Sequence, residues 1–162
     1  MLNYPDLFGY FKKARVKLWE SLEKLSQEQL VDDRGLSFNS IKDVLVHTIM
    51  VEDNWLHYRY AGLGPNTKHT FQDFKSLADV RPYMNEVDTK TAKLFSNISP
   101  SDFKKQVKRT SADGTTQVYT LEQILYHIPI EVIYHYGEIF AEFWKMNIDA
   151  PYYSYLAYST GK

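Results

Sequence analysis

Three ionisable side chains fall at successive spacings of four in the stretch HIPIEVIYH: His127, Glu131 and His135. On an α-helix, positions four apart are rotated by only about 40° and rise about 6 Å, so they stand one above another. The same helix would carry an apolar stripe of Ile124, Ile128, Val132, Ile139 and Phe143. An ionised carboxylate within or beside such a stripe is costly unless it is paired. A proton, a cation from a neighbouring helix or a metal ion must compensate it.

A second oddity lies upstream. Val44, Thr48, Val51 and Trp55 read as the inner stripe of a helix, and His47 falls on it, three after Val44 and four before Val51. Inward side chains of facing helices meet at one level. His47 with Glu131 and His135 would make a set of two histidines and one carboxylate. That set suits Zn²⁺, Ni²⁺, Fe²⁺ or Mn²⁺ and leaves coordination positions open. The alternative is a polar core, with Glu131 salt-bridged or protonated and each histidine bonded to a carbonyl or a tyrosine. His127 reads either as a group that orients the site or shuttles protons, or as a core histidine bonded to a carbonyl. Glu52 and Asp53 lie about a turn and a half beyond His47, within reach of supporting it, on positions expected to be mostly solvated.

These residues need helices to position them, and the periodicity supplies four. Leu7, Phe11, Ala14, Leu18, Leu22 and Leu25 give a first helix from about Asp6 to Leu25, broken by Asp32-Asp33-Arg34-Gly35. A second opens at Ser40, with Asp43 three residues on, and runs to about Ala61, where GLGPN stops it. A third begins near Asp79, with Pro82 in its first turn, and ends at Ser99-Pro100. Residues 103–119 read as a short hairpin or an extended crossover, with Asp113-Gly114 as the turn. Thr120 with Gln123 caps the fourth helix, which runs to about Met146. Pro129 inside it predicts a kink or bulge. The aromatic tail DAPYYSYLAYSTGK is expected to pack back on the helices. The prediction is an all-α fold: a four-helix bundle, one domain over residues 1–162, with a long crossover or short hairpin between helices three and four.

Composition narrows the function further. The 162 residues contain no cysteine, which excludes disulfides, thiolate nucleophiles and cysteine zinc sites. Formal net charge is −1 with the signs mixed along the chain, so no nucleic-acid partner is expected. No apolar run approaches a membrane span and the first residues lack the layout of a signal peptide, so a cytoplasmic protein away from membranes is expected. Thirteen tyrosines point to pockets and interfaces with polar tips.

Three stretches together resemble the DinB/YfiT-like family of four-helix-bundle proteins. SFNSIKDVLVHTIMVEDNWLHY is similar to the family's second helix, with one ligand histidine followed by an acid/Asn–Trp pair. DGTTQVYTLEQILYHIPIEVIYHYGEI is similar to its loop and fourth helix, where histidines recur every four residues before His-Arg-Gly-Gln. MNIDAPYYSYLAYS resembles its closing aromatic segment. The likeness runs from about Leu7 to Tyr158. It implies metal ligands at His47, Glu131 and His135, with His127 at a position that is usually not a direct ligand. It also implies metal-dependent chemistry on a small-molecule substrate: transfer to a low-molecular-weight thiol cosubstrate of the bacillithiol type, or hydrolysis. A homodimer is implied by analogy. The chain departs from the pattern at Glu131, normally histidine, at Tyr136, often arginine, and at Glu138, normally glutamine. The competing reading is a non-catalytic bundle that binds a small molecule or a protein and keeps the triad as a structural cluster.

Overall fold

The computed structural model describes residues 3–161 and is mostly helical, with one two-stranded sheet among those residues. Helix α1 spans Tyr4–Leu22 and is capped by Asn3, whose side chain accepts from the Asp6 N–H. It stops short of the predicted Leu25 because Ser26 starts a separate short helix, α2 (Gln27–Val31), through a reciprocal capping box with Gln29. Leu25 is buried all the same.

Helix α3 covers Ile41–Asp53 behind its Ser40 cap. It passes without a break into a wider π-type segment, Asn54–Arg59, in which Tyr60 N–H reaches back five residues to Trp55 O. Gly62 and Gly64, at φ 76° and 80°, then end it. Helix α4 covers Leu77–Asn97, and its cap is Ser76 with Asp79 as the reciprocal partner. The start is therefore earlier than predicted, and Pro82 lies in the second turn rather than the first.

Strands β1 (Gln106–Thr110) and β2 (Thr116–Thr120) form the expected antiparallel hairpin, in register Val107↔Tyr119 and Arg109↔Gln117. The fold is thus not strictly all-α: Gly114, at φ 84° beside Asp113, turns the chain tightly enough for the flanking strands to pair. Helix α5 runs over Leu121–Lys145 behind the Thr120/Gln123 capping box. It stays α-helical across Pro129, so the bulge expected there is absent; the wide turn lies at Asn54–Arg59 instead. The tail forms the short helix α6 (Tyr155–Ser159) and folds back on α1, where Tyr10 Oη donates to Tyr153 O at 2.8 Å.

Helix α3 packs against α5, α4 and α2, and α1 packs against α4 and α5. The predicted stripes face inward: Leu18 and Leu22, Val44 and Thr48, and Ile124, Ile128, Ile139 and Phe143 are all buried, as are Val87 and Thr91 on α4. Each large aliphatic side chain buried this way contributes roughly 1.5–3 kcal/mol. The α3–α5 contact presents His47 to Glu131 and His135. Among the described residues no helix is long and apolar enough to cross a membrane.

Candidate metal centre

His47 on α3 and Glu131 and His135 on α5 converge, with one donor atom from each lying within 4.8 Å of the others. Oε1 of Glu131 lies 3.4 Å from His47 Nε2 and 3.3 Å from His135 Nε2. The two rings cross at 78° with centroids 4.6 Å apart. These spacings are long for charge-assisted hydrogen bonds, which close to about 2.7–2.9 Å. They match the edge of a ligand tetrahedron, about 3.4 Å for bonds of the usual zinc length. The side chains of His47, Glu131 and His135 are 19%, 31% and 5% exposed, so the cluster is reachable from solvent on its Glu131 side.

Neighbouring groups fix the rings. Glu138 Oε2 lies 2.9 Å from His135 Nδ1. Glu138 itself is held below the ordinary carboxylate range: burial opposes this, but hydrogen bonds from Ser37 and His135 outweigh it. An ionised carboxylate only accepts, so Nδ1–H of His135 donates to Glu138, and the ring is held with Nε2 toward Glu131. Glu131 is also held low, burial again being outweighed by His47, His127 and His135. Burial lowers the pKa of His47, and the nearby His135 adds to the effect against the pull of Glu131, which favours the neutral ring that a metal needs. The donor set therefore fits a divalent ion such as Zn²⁺, Ni²⁺, Fe²⁺ or Mn²⁺.

Phe38 stacks on His47, centroids 3.8 Å apart and planes within 19°. It is delivered by a tight turn in which Asn39 N–H donates to Leu36 O at 2.9 Å. Asn39 takes φ 63°, a left-handed conformation that asparagine tolerates. Phe38, His47, Asn54 and Trp55 line a cavity of about 280 Å³ beside the triad.

The other predicted residues divide. His127 is exposed and its side chain forms no hydrogen bond among the described residues; it meets the edge of Trp55, ring centroids 5.9 Å apart, rather than filling a core position. It faces outward because the inner side of α5 at this level is taken by Ile124 and Ile128. Glu52 and Asp53 are buried rather than solvated, and both turn away from His47. Glu52 accepts from Thr91 Oγ1 at 2.5 Å and lies 3.5 Å from Arg15, while Asp53 accepts from Tyr83 Oη at 3.0 Å. Tyr136 is buried near this Arg15 group, and burial pushes its hydroxyl up to about 12. The sequence reading missed Glu138 and Ser37 as supports and Phe38 as a stacking partner. The spacing of three from His135 could have signalled Glu138; nothing periodic marks Ser37 or Phe38.

The sequence profile of the DinB family matches residues 1–145. No curated protein matches the chain.

Proposed function

The chain belongs to the DinB family, and from that premise we propose that it is a divalent-metal-dependent enzyme acting on a small molecule, with His47, Glu131 and His135 as the metal ligands. The observation that carries the reading is His135, which has a carboxylate at each ring nitrogen. Glu138 orients the ring, and Glu131 supplies the anion that completes a neutralising donor set. When bound, a divalent ion would supply Lewis acidity, lowering the pKa of a water or thiol or polarising a carbonyl.

The chain's own residues define the rest. Phe38 stacks on the His47 ring and Glu138 holds the His135 ring, which keeps both facing Glu131. Phe38, Trp55 and Phe71 give the adjoining cavity an aromatic wall. With no cysteine in the chain, a sulfur nucleophile would come from a low-molecular-weight thiol cosubstrate of the bacillithiol type. We favour that transfer, with hydrolysis as the second chemistry. The scaffold is read as one DinB-like four-helix bundle formed by α1, α3, α4 and α5.

We also infer a homodimer. Helix α5 is apolar on both sides: opposite its core stripe, Ile130, Ile133 and Trp144 are each more than half exposed, with Tyr126 on the same line. An exposed apolar line of this kind on a helix marks a surface that associates.

Metal analysis by plasma mass spectrometry on untagged protein tests the main reading, beside His47→Ala and Glu131→Ala. Near-stoichiometric metal that is lost in both variants is the expected result. Absence of metal from the wild type, even after incubation with Zn²⁺, Ni²⁺, Fe²⁺ and Mn²⁺, would leave a non-catalytic bundle with a polar cluster.

A further inference from the structure

The chain has five arginines, and three of them face carboxylates: Arg15 pairs with Asp88, Arg34 with Glu142 and Arg81 with Glu23. The other two, Arg59 and Arg109, make no ion pair among the described residues. The segments that carry them, Asn54–Arg59 and β1, pack against each other. The guanidinium of Arg59 lies over the Trp55 ring, 5.4 Å from its centroid, and its Nε is buried without a hydrogen-bond partner. Burial lowers the pKa of Arg59, and the field of Arg109 lowers it further.

Between Trp55 and the hairpin lies a cavity of about 320 Å³, lined by Trp55, Arg109, Tyr119, Gln123, Ile124 and His127. Strand alternation puts Arg109 on the same face as the buried Val107, with Tyr119 opposite Val107 in register. Lys108 points to the other face. Trp55 and Tyr119 meet edge to face at 5.5 Å, which gives the cavity an aromatic wall. The Gln123 amide oxygen accepts from Thr120 N–H at 2.8 Å, so its NH₂ is left as a donor. Trp55 also lines the cavity beside His47, so the two cavities share a wall.

We propose that this cavity is an anion site, in which Arg109, with the Gln123 amide beside it, holds the carboxylate or phosphate of a small molecule whose apolar body lies against Trp55 and Tyr119. Arg59, over the Trp55 ring, adds a second positive charge without a counter-charge, and a bound anion offsets both. The guanidinium fork suits both acids, and the volume is at the small end of the range for ligand sites. As the far end of the substrate groove the site rests on the metal-centre reading; as an anion site it stands without it.

The test is calorimetric titration of the full chain with phenyl phosphate, benzoate and uncharged phenol. It is run on chelator-treated protein and again after Zn²⁺ loading, with metal content measured in parallel. The metal-free protein should bind at least one of the two acids and not phenol, and the preferred acid identifies the group. Arg109→Gln should weaken binding about tenfold, the loss expected for one charge-assisted contact, and Arg59→Gln about threefold through loss of its field. Lys108→Gln should change it by less than about twofold. Arg109 lies on the exposed hairpin, so its variant tests the site without disturbing the core. The proposal is overturned if neither acid binds, if phenol binds equally well, or if the arginine variants bind like the wild type. It is also overturned if binding appears only with Zn²⁺ and survives both substitutions, since the acid would then sit on the metal. Failure of the metal centre shows separately, as absent Zn²⁺ with anion binding intact.

Discussion

The Nδ1 atom of His135 lies 2.9 Å from Oε2 of Glu138, one turn further along α5. The contact selects the tautomer that points Nε2 at Glu131. Glu138→Gln keeps the shape and removes the charge, so metal affinity should fall roughly 10–100-fold, the usual cost of losing such a partner. Competition against a chromophoric chelator measures it. Unchanged affinity would remove Glu138 from the account.

Glu131→His exchanges an anionic oxygen for a neutral nitrogen. Carboxylates favour harder ions and imidazoles softer ones. The variant should still bind metal, with preference for Zn²⁺ over Mn²⁺ rising by about tenfold or more. Pairwise competition between the two ions reads the ratio, and an unchanged ratio would mean that Glu131 does not touch the ion.

His57 gives a pH signature away from the triad. Its Nε2 lies 3.0 Å from Thr91 Oγ1, and burial pushes its pKa down to about 4 from the ordinary 6.5, with Lys90 lowering it further against the pull of Asp53. The unfolded chain takes up the proton first as pH falls. Stability from His57 is therefore complete above 6.5 and lost as pH drops toward 4. Allowing for water at its open edge, the loss is on the order of 1–2 kcal/mol. Urea denaturation across that window should show a shallower decline in His57→Gln than in the wild type.

Arg15 is buried between Asp88 and Glu52. Arg15→Met strands both carboxylates and should cost about 3–5 kcal/mol. Adding Glu52→Gln should restore part of that loss, because burial already raises the pKa of Glu52 and disfavours its anion. Chemical denaturation of the two variants measures the difference; no recovery in the double variant would assign the cost to lost packing.

Ile133 lies near the middle of the exposed apolar line on α5. Ile133→Lys places a charge there and should yield a folded monomer where the wild type sediments as a dimer. Analytical ultracentrifugation with a circular-dichroism control checks both halves. A wild type that is monomeric at all concentrations would end the dimer reading.

The inner stripes and the meeting of His47 with Glu131 and His135 were legible because helical periodicity says which residues share a face. Glu52 and Asp53 were misread because their fate depends on Arg15, Thr91, Tyr83 and Lys90, contributed by other helices at separations no local pattern encodes. The break between α1 and α2 was missed because Leu25 continues the apolar spacing while the Ser26 capping box outweighs it. No local pattern marks the wide turn either: α5 keeps its α-helical class across Pro129, while the chain widens at Asn54–Arg59, a segment without proline.

The turn before α3 grips the donor set at both ends. Ser37 donates to the second oxygen of Glu138, and the next residue, Phe38, lies flat on His47. Arg34 ties the same segment to Glu142, 3.4 Å away. One local opening of residues 34–39 would therefore free the His47 ring and the Glu138 carboxylate together, so the donor set would lose its order in a single step rather than ligand by ligand.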